Sequence, residues 1–343
     1  MKLSNVLRPE ASPLRLFAVA AAAAVGILLL VAPPLLGTYE TELLTYGLVF
    51  AIAALGFNLL LGYTGLLSFG HSAYFGVGAY TVGFMVRDLG VSSIEVCILG
   101  GVVVTAMVSA LFGFVCVRHT RIFFAILTLA LSQVLWTLAF KFFWVTGGTD
   151  GIRIPRLALL GGLLDFSGGG GYARFVNSYY YYVLIVFFIS MMVMWVIVHS
   201  PFGKTLQAIR DNETRARFIG VRIRVYRWLA FLISGTFTGL AGVLWAPLNR
   251  LTTPDILYWP FSGEIVFLTV LGGFRTFTGP IVGAVVFNRL KAYFVGEVPE
   301  FWQLLLGGVL VLLVLALPTG IVGTLSRLVA RLKSVGGPGR EPA

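Results

Sequence analysis

Ser200 to Arg227 reads SPFGKTLQAIRDNETRARFIGVRIRVYR and is the most basic interruption between extended apolar runs. Lys204, Arg210, Arg215, Arg217, Arg222, Arg224 and Arg227 stand there against only two carboxylates, Asp211 and Glu213. On either side the chain is apolar for about 20 residues at a time, the length that crosses roughly 30 Å of hydrocarbon at 1.5 Å per residue. A short charged helix between two such runs lies at a membrane surface, within reach of something soluble. From Phe202 onward, Phe202, Leu206, Ile209 and then Phe218 and Ile219 recur mainly at helical spacing, so the stretch is expected to be helical with Gly220 ending it. An interfacial helix resting on anionic lipid is the competing reading. Against it stand Asp211, Asn212 and Glu213 at the centre, which lipid phosphates would repel and a protein groove of mixed charge would accept.

Composition agrees with a membrane chain. Of 343 residues 58% are hydrophobic and only 11% charged, where soluble domains carry about 25% charged. The 41 glycines suit close helix packing in lipid. A net charge of +11 invites a nucleic-acid reading, but the basic residues gather in short connections, as the positive-inside rule expects, and no nucleic-acid partner is implied. Cys97 and Cys116 lie inside apolar spans and read as inert thiols.

Ten crossings fit, at about 14–36, 42–62, 66–86, 94–117, 122–145, 178–198, 227–248, 257–273, 278–295 and 301–318. The first is longer than a signal peptide's apolar core and is expected to be retained. An even count returns both termini to the cytoplasm and puts Arg118, Arg121, the loop 200–227, Arg327, Arg331 and Lys333 inside. The excursion Thr146 to Asn177, with Gly147-Gly148 and the run Gly168 to Gly171, reads mostly as a slack outer connector. Two spans look interrupted. One, around Leu66, carries Gly62, Gly65, Gly70, Gly76 and Gly78 among Ser68, His71 and Tyr74; the other is broken by Pro260 and Gly263 beside Glu264. Discontinuous segments in both halves point to a midplane site or gate.

Catalytic signatures are missing, so no enzyme and no bound metal is expected. Gly203-Lys204-Thr205 mimics the end of a phosphate-binding loop, but Val198 stands where its first glycine belongs. Asn58, Ser68, His71, Tyr74, Gln133 and Glu264 are the candidates for the translocation pathway. Ser132 and Asn288 are as readily helix bridges, and His71 as readily a satisfied structural histidine. Glu264 needs a partner or a wet surface, since a carboxylate at mid-span costs roughly 2.5–3.5 kcal/mol.

Six blocks carry a resemblance: GFNLLLGYTGLLSFGHSAYFGVGAY from Gly56, ILTLALSQVLWTL from Ile126, TGGTDGI from Thr146, SPFGKTLQAIRDNETRARFIG from Ser200, AFLISGTFTGLAGVLWA from Ala230 and EIVFLTVLGGFRTFTGPIVGA from Glu264. In order and together they resemble the LivM-type permeases of branched-chain amino acid ABC importers. The resemblance implies an all-α polytopic membrane protein of the ABC importer permease type, with about ten transmembrane segments, some broken or re-entrant. The chain itself reads as one permease domain over 1–333 with a tail at 334–343 expected to be disordered, and the resemblance implies residence in the bacterial inner membrane. By the same likeness Ala208, Arg210, Asp211, Asn212, Glu213, Arg215, Ala216, Phe218 and Gly220 form the segment that couples to an ATPase. The implied partners are two ABC ATPase subunits holding ATP and magnesium, a sister LivH-like permease, an external solute-binding protein and the lipid bilayer; this chain itself binds no cofactor. Such permeases also move urea, amides or aromatic carboxylates, so the cargo stays open. An ion-driven secondary transporter acting alone is the alternative from another class.

Overall fold

The computed structural model describes residues 26, 28–119, 121–164 and 171–335. It is an all-α membrane architecture with two short strands. Among the described residues, six helical stretches are long and apolar enough to cross a bilayer: Thr38–Thr64, Ile94–Cys116, Ile122–Lys141, Tyr172–His199, Ile223–Asn249 and Trp302–Arg327. The expected span at 14–36 falls mostly outside the described residues, although 28–35 are helical. Of the three remaining expected spans, two are helices of 19 residues, His71–Leu89 and Gly279–Glu297, and one, Trp259–Gly272, is a helix of 14.

In chain order the helices are α1 (Thr38–Asn58), α2 (His71–Leu89), α3 (Ile94–Cys116), α4 (Arg121–Lys141) and α5 (Tyr172–His199). Then come α6 (Pro201–Asp211), α7 (Glu213–Phe218), α8 (Ile223–Asn249), α9 (Trp259–Gly272), α10 (Gly279–Glu297), α11 (Trp302–Ala316) and α12 (Gly320–Val335). α12 runs two residues into the expected tail, whose remainder lies outside the described residues.

Two spans make the centre. The best apolar window of Thr38–Thr64 is 78% buried and that of Ile223–Asn249 is 67%, against a third or less for the other four. α8 packs on α1, α2 and α3, while α1 also meets α5 and α10. Lipid offers no hydrophobic drive for these contacts, so they depend on close approach. Missing side chains permit it. A Cβ on Gly242 would sit 1.9 Å from the Phe75 carbonyl oxygen, and one on Gly78 would sit 2.1 Å from that of Gly239. Polar side chains inside the spans then bridge backbones: Ser109 Oγ donates to the Phe231 carbonyl at 3.0 Å, Tyr179 Oη to Leu244 at 2.7 Å and Asn288 Nδ2 to Leu43 at 2.9 Å.

The first interruption follows α1. Its helix widens into a π-helical turn, Leu59–Thr64, and stops at Gly65, whose φ of 72° lies in the left-handed region. The Gly65 and Leu66 amides both return to the Leu60 carbonyl. Residues 65–70 are then non-helical until α2 begins. The second interruption corrects the expectation. Pro260 does not break its span but occupies the first turn of α9, where its missing N–H costs nothing, and Gly263 lies inside the helix. What shortens the span is its length of 14 residues, about 21 Å, followed by the turn at Gly272 and Gly273.

The outer excursion is also tighter than expected. Gly147, Gly148 and Gly151 all adopt positive φ, folding 146–151 over the end of α4. Strand β1 (Ile152–Arg153) then pairs antiparallel with β2 (Leu251–Thr252), and the Ile154 amide donates to the Arg250 carbonyl at 2.9 Å. The glycine-rich opening is therefore a built turn, and the second glycine run lies largely outside the described residues.

The backbone contacts generate a test. Gly242→Val drives a branched side chain into the Phe75 carbonyl and is expected to destabilise the fold by about 3 kcal/mol or more, measured as a lower melting temperature and reduced yield in detergent. Gly307→Ala, with nothing within 4 Å of the added Cβ, leaves both unchanged.

Candidate functional site

The basic loop is two helices rather than one. Ser200 caps α6, accepting from the Gly203 amide at 3.5 Å, and Pro201 takes the first helical position. Gly203 is there for space, since a Cβ would lie 2.3 Å from the Val198 carbonyl oxygen. Helix α6 ends because Asn212 turns extended (φ −156°, ψ 101°), and the same residue starts α7 by accepting from the Arg215 amide at 2.9 Å. Gly220, with φ 87°, closes the loop beyond the end of α7 as expected.

The apolar residues divide accordingly. Leu206, Ile209 and Ala216 are buried, and Phe202 stacks on Tyr226 at 5.7 Å. Phe218 and Ile219, expected on that same face, instead stand 86% and 73% exposed at the tip. The break at Asn212 redirects them.

Charge fixes the loop to the spans at two points. Glu213 accepts from Arg227 at 2.8 Å and from Arg217 at 3.2 Å, and the Arg227 side chain is only 7% exposed. Partial burial works to raise the Glu213 carboxyl, but hydrogen bonding and charge from Arg227, helped by Arg217, outweigh it and hold the group below its usual range. The second point is Arg210, which pairs with Asp211 at 3.0 Å and donates through Nη1 to the carbonyl of Gly62 in the π-helical turn. Its stem packs over Gly65, where a Cβ would meet Arg210 Cγ at 2.9 Å. The loop therefore grips the interrupted span directly. Ala208 and Arg215 lie on the same two helices, and both are exposed.

Around the interruption the expected pathway residues separate. Asn58 donates to the Thr276 carbonyl at 3.3 Å and leaves its Oδ1 buried without a partner, which brings the two interruptions into contact. His71 is fully buried: Nδ1 meets Ser68 Oγ at 3.1 Å, Nε2 meets Ser234 Oγ at 2.8 Å, and Phe57 and Tyr74 pack edge-on. Ser68, His71 and Tyr74 thus form a knot locking the start of α2 to α8 rather than an open surface. Ser132 is buried on its own helix's Leu129 carbonyl, and Gln133 is half-buried with Nε2 unpartnered.

Glu264 finds the partner it required. Lys291 of α10 donates to both of its oxygens at 2.8 and 2.7 Å, and lies 5.5 Å from the centre of the Trp302 ring. Sequence reading missed Lys291, Ser234 and Thr276; a lone lysine or serine inside an apolar helix was the available signal. Among the described residues no cluster of His, Cys, Asp and Glu could hold a metal ion.

The profile of the branched-chain amino acid transport system permease component matches residues 40–314. The chain belongs to this permease family. It is 27% identical to the high-affinity branched-chain amino acid transport system permease protein LivM of Escherichia coli strain K12, over 89% of this chain and 74% of that protein. LivM of Salmonella typhimurium is likewise 27% identical, over 86% of this chain and 72% of the relative. LivH, a permease protein of the same system in E. coli, is 22% identical over 81% of this chain and 92% of its own length. No solved structure matches. As a member of this permease family the chain is a multi-pass transport protein, and its matched region contains the whole basic loop and both interruptions.

The Glu213–Arg227 pair can be checked by a double-mutant cycle. Glu213→Gln strands a buried guanidinium and is expected to cost about 1–3 kcal/mol, less than a fully buried pair because the carboxylate is partly exposed. Adding Arg227→Met recovers most of that loss, whereas independent sites would add their penalties. Because the folded carboxyl titrates below its usual value near 4.3, the pair's contribution is full above that pH and disappears as pH falls through the lower folded value. Melting curves of the permease between pH 3 and 7 read both effects, and Glu213→Gln removes the part of the acid dependence that this pair contributes.

Proposed function

We propose that this chain is the membrane-spanning permease subunit of an ATP-driven importer for branched-chain amino acids in the bacterial inner membrane, with both termini and the loop 200–227 on the cytoplasmic side. A sister permease completes the translocation pathway, an external solute-binding protein delivers the amino acid, and two ABC ATPase subunits hold ATP and magnesium. The cargo is assigned from the branched-chain names carried by the LivM and LivH relatives.

One observation carries the mechanism: the loop has a free end and a held end. Phe218 and Ile219 project from the tip into solvent, where such apolar side chains suit a partner's groove. At the other end Arg210 holds the Gly62 carbonyl. Movement of the ATPase pair then reaches the broken span through α6 and α7. Asn58 passes it on to the 273–278 turn between α9 and α10, and the two shorter spans change the side to which the cavity opens. Asp211, Asn212, Glu213 and Arg215 give the loop its shape and charge for that contact.

The lone secondary-transporter reading draws less support, because Glu264, the mid-span carboxylate it would use for ion coupling, is already paired with Lys291.

Two variants separate the ends of the loop. Phe218→Asp combined with Ile219→Asp is expected to abolish co-purification of the ATPase subunits while the permease still elutes as a folded species. Arg210→Ala keeps the subunits together and preserves ATP hydrolysis in reconstituted vesicles, but lowers amino acid uptake per ATP about tenfold, within the usual span of coupling free energies. Uptake that persists after ATP is removed would sink the reading.

A further inference from the structure

Two neighbouring cavities at the inner ends of α3 and α8 share a wall and differ in chemistry. One, of about 580 Å³, is lined by Arg118, Arg217, Arg222, Arg224 and Arg227 against the single carboxylate of Glu213. The other, of about 640 Å³, is lined by Phe114, Val117, Val225 and Trp228, with Arg118 and Arg224 at its border. The arginines and the aromatics are spaced by one helical turn. Phe114 lies four residues before Arg118 toward the interior of α3, and Trp228 lies four residues after Arg224 along α8. At 1.5 Å per residue the apolar groups therefore lie about 6 Å deeper in the bilayer than the charges. Charge at the surface with apolar lining one turn below is the profile of a phospholipid crossing from headgroup to acyl chain.

We propose that this double cavity is a binding site for an anionic phospholipid of the cytoplasmic leaflet, its phosphodiester among the arginines and an acyl chain along Phe114, Val225 and Trp228. Glu213 engages Arg217 and Arg227, and Arg118 lies over the Phe114 ring at 4.6 Å. Among the described residues Arg222 and Arg224 are exposed and make no ion pair with protein carboxylates. The buried Nε–H of Arg227 likewise has no acceptor. A phosphate oxygen supplies what this cluster lacks. The indole N–H of Trp228 is committed to the Ala110 carbonyl at 2.9 Å, so that ring offers the lipid only its apolar surface. Because Glu213 and Arg227 also anchor the loop, a bound headgroup would brace the coupling segment from beside it. The site borrows its leaflet from the orientation proposed above, but its chemistry does not depend on it.

The test uses the full chain in nanodiscs of phosphatidylcholine doped with chain-brominated lipid, both leaflets alike, so the readout is independent of orientation. Bromine quenches tryptophan, and the difference between wild type and Trp228→Phe isolates Trp228. Brominated phosphatidylglycerol is expected to quench Trp228 at a far lower mole fraction than brominated phosphatidylcholine. Arg222→Gln with Arg224→Gln, both exposed positions, should weaken that preference on the order of 25-fold, about fivefold per arginine near an anionic surface. Equal quenching by the two lipids overturns the proposal, as does a preference that survives the arginine variant. Displacement of the lipid by inorganic phosphate, against chloride at equal ionic strength, would mark a free-anion site instead. Loss of quenching on adding the ATPase subunits would assign the arginines to that protein interface and equally overturn it. Uptake assays test the importer reading separately, so either can fail alone.

Discussion

Hydrocarbon tolerates no orphaned backbone polar group, and that constraint organises this protein around its broken span. Where α1 widens and stops, carbonyls lose their helical partners. The chain answers at once for Leu60, which takes the amides of Gly65 and Leu66. Gly62 is answered from 148 residues away, by a guanidinium on the loop. At the facing turn the Thr276 carbonyl is answered by Asn58. The last two repairs use a group from another element, so satisfying the interruption also ties it to the basic loop and to the facing turn. A continuous helix would need no such ties and could transmit nothing through them.

The same economy governs charge. The Arg227 side chain is almost wholly covered and would be costly unpaired; Glu213 neutralises it and fixes the start of α7 in doing so. Glu264 and Lys291 cancel one another between α9 and α10 and hold the short hairpin together. Both pairs join elements that are distant in sequence or separated by a sharp turn, where packing alone would leave their relative placement weakly specified.

Much of this was legible in the residues. Apolar runs and the location of basic residues gave the spans, and the ordered blocks gave the family, because both are properties of composition and order. The polar knot at His71 was half visible: serines near a buried histidine suggest satisfaction, but Ser234 lies 163 residues away and only the fold brings it close. Pro260 misled because a proline means opposite things in a helix interior and in its first turn, and the difference depends on where the helix starts. Phe218 and Ile219 misled because helical periodicity assumes one axis, and Asn212 supplies two. The outer glycines looked slack because glycine permits both disorder and tight left-handed turns; tertiary pairing with β2 selects the latter.

The glycine contacts between α2 and α8 have a mechanical consequence. Where two main chains touch directly, no rotamer lies between them to absorb a shift, so neither can slide without separating entirely. These two helices therefore travel as one rigid block during any conformational cycle. The same contact recurs on both sides of the facing turn, where a Cβ on Gly272 would sit 1.8 Å from the Gly279 carbonyl oxygen and one on Gly283 would sit 1.9 Å from that of Leu268, so α9 and α10 are locked to one another as well. A transporter assembled this way moves in stiff blocks, and its freedom falls to the connections between them.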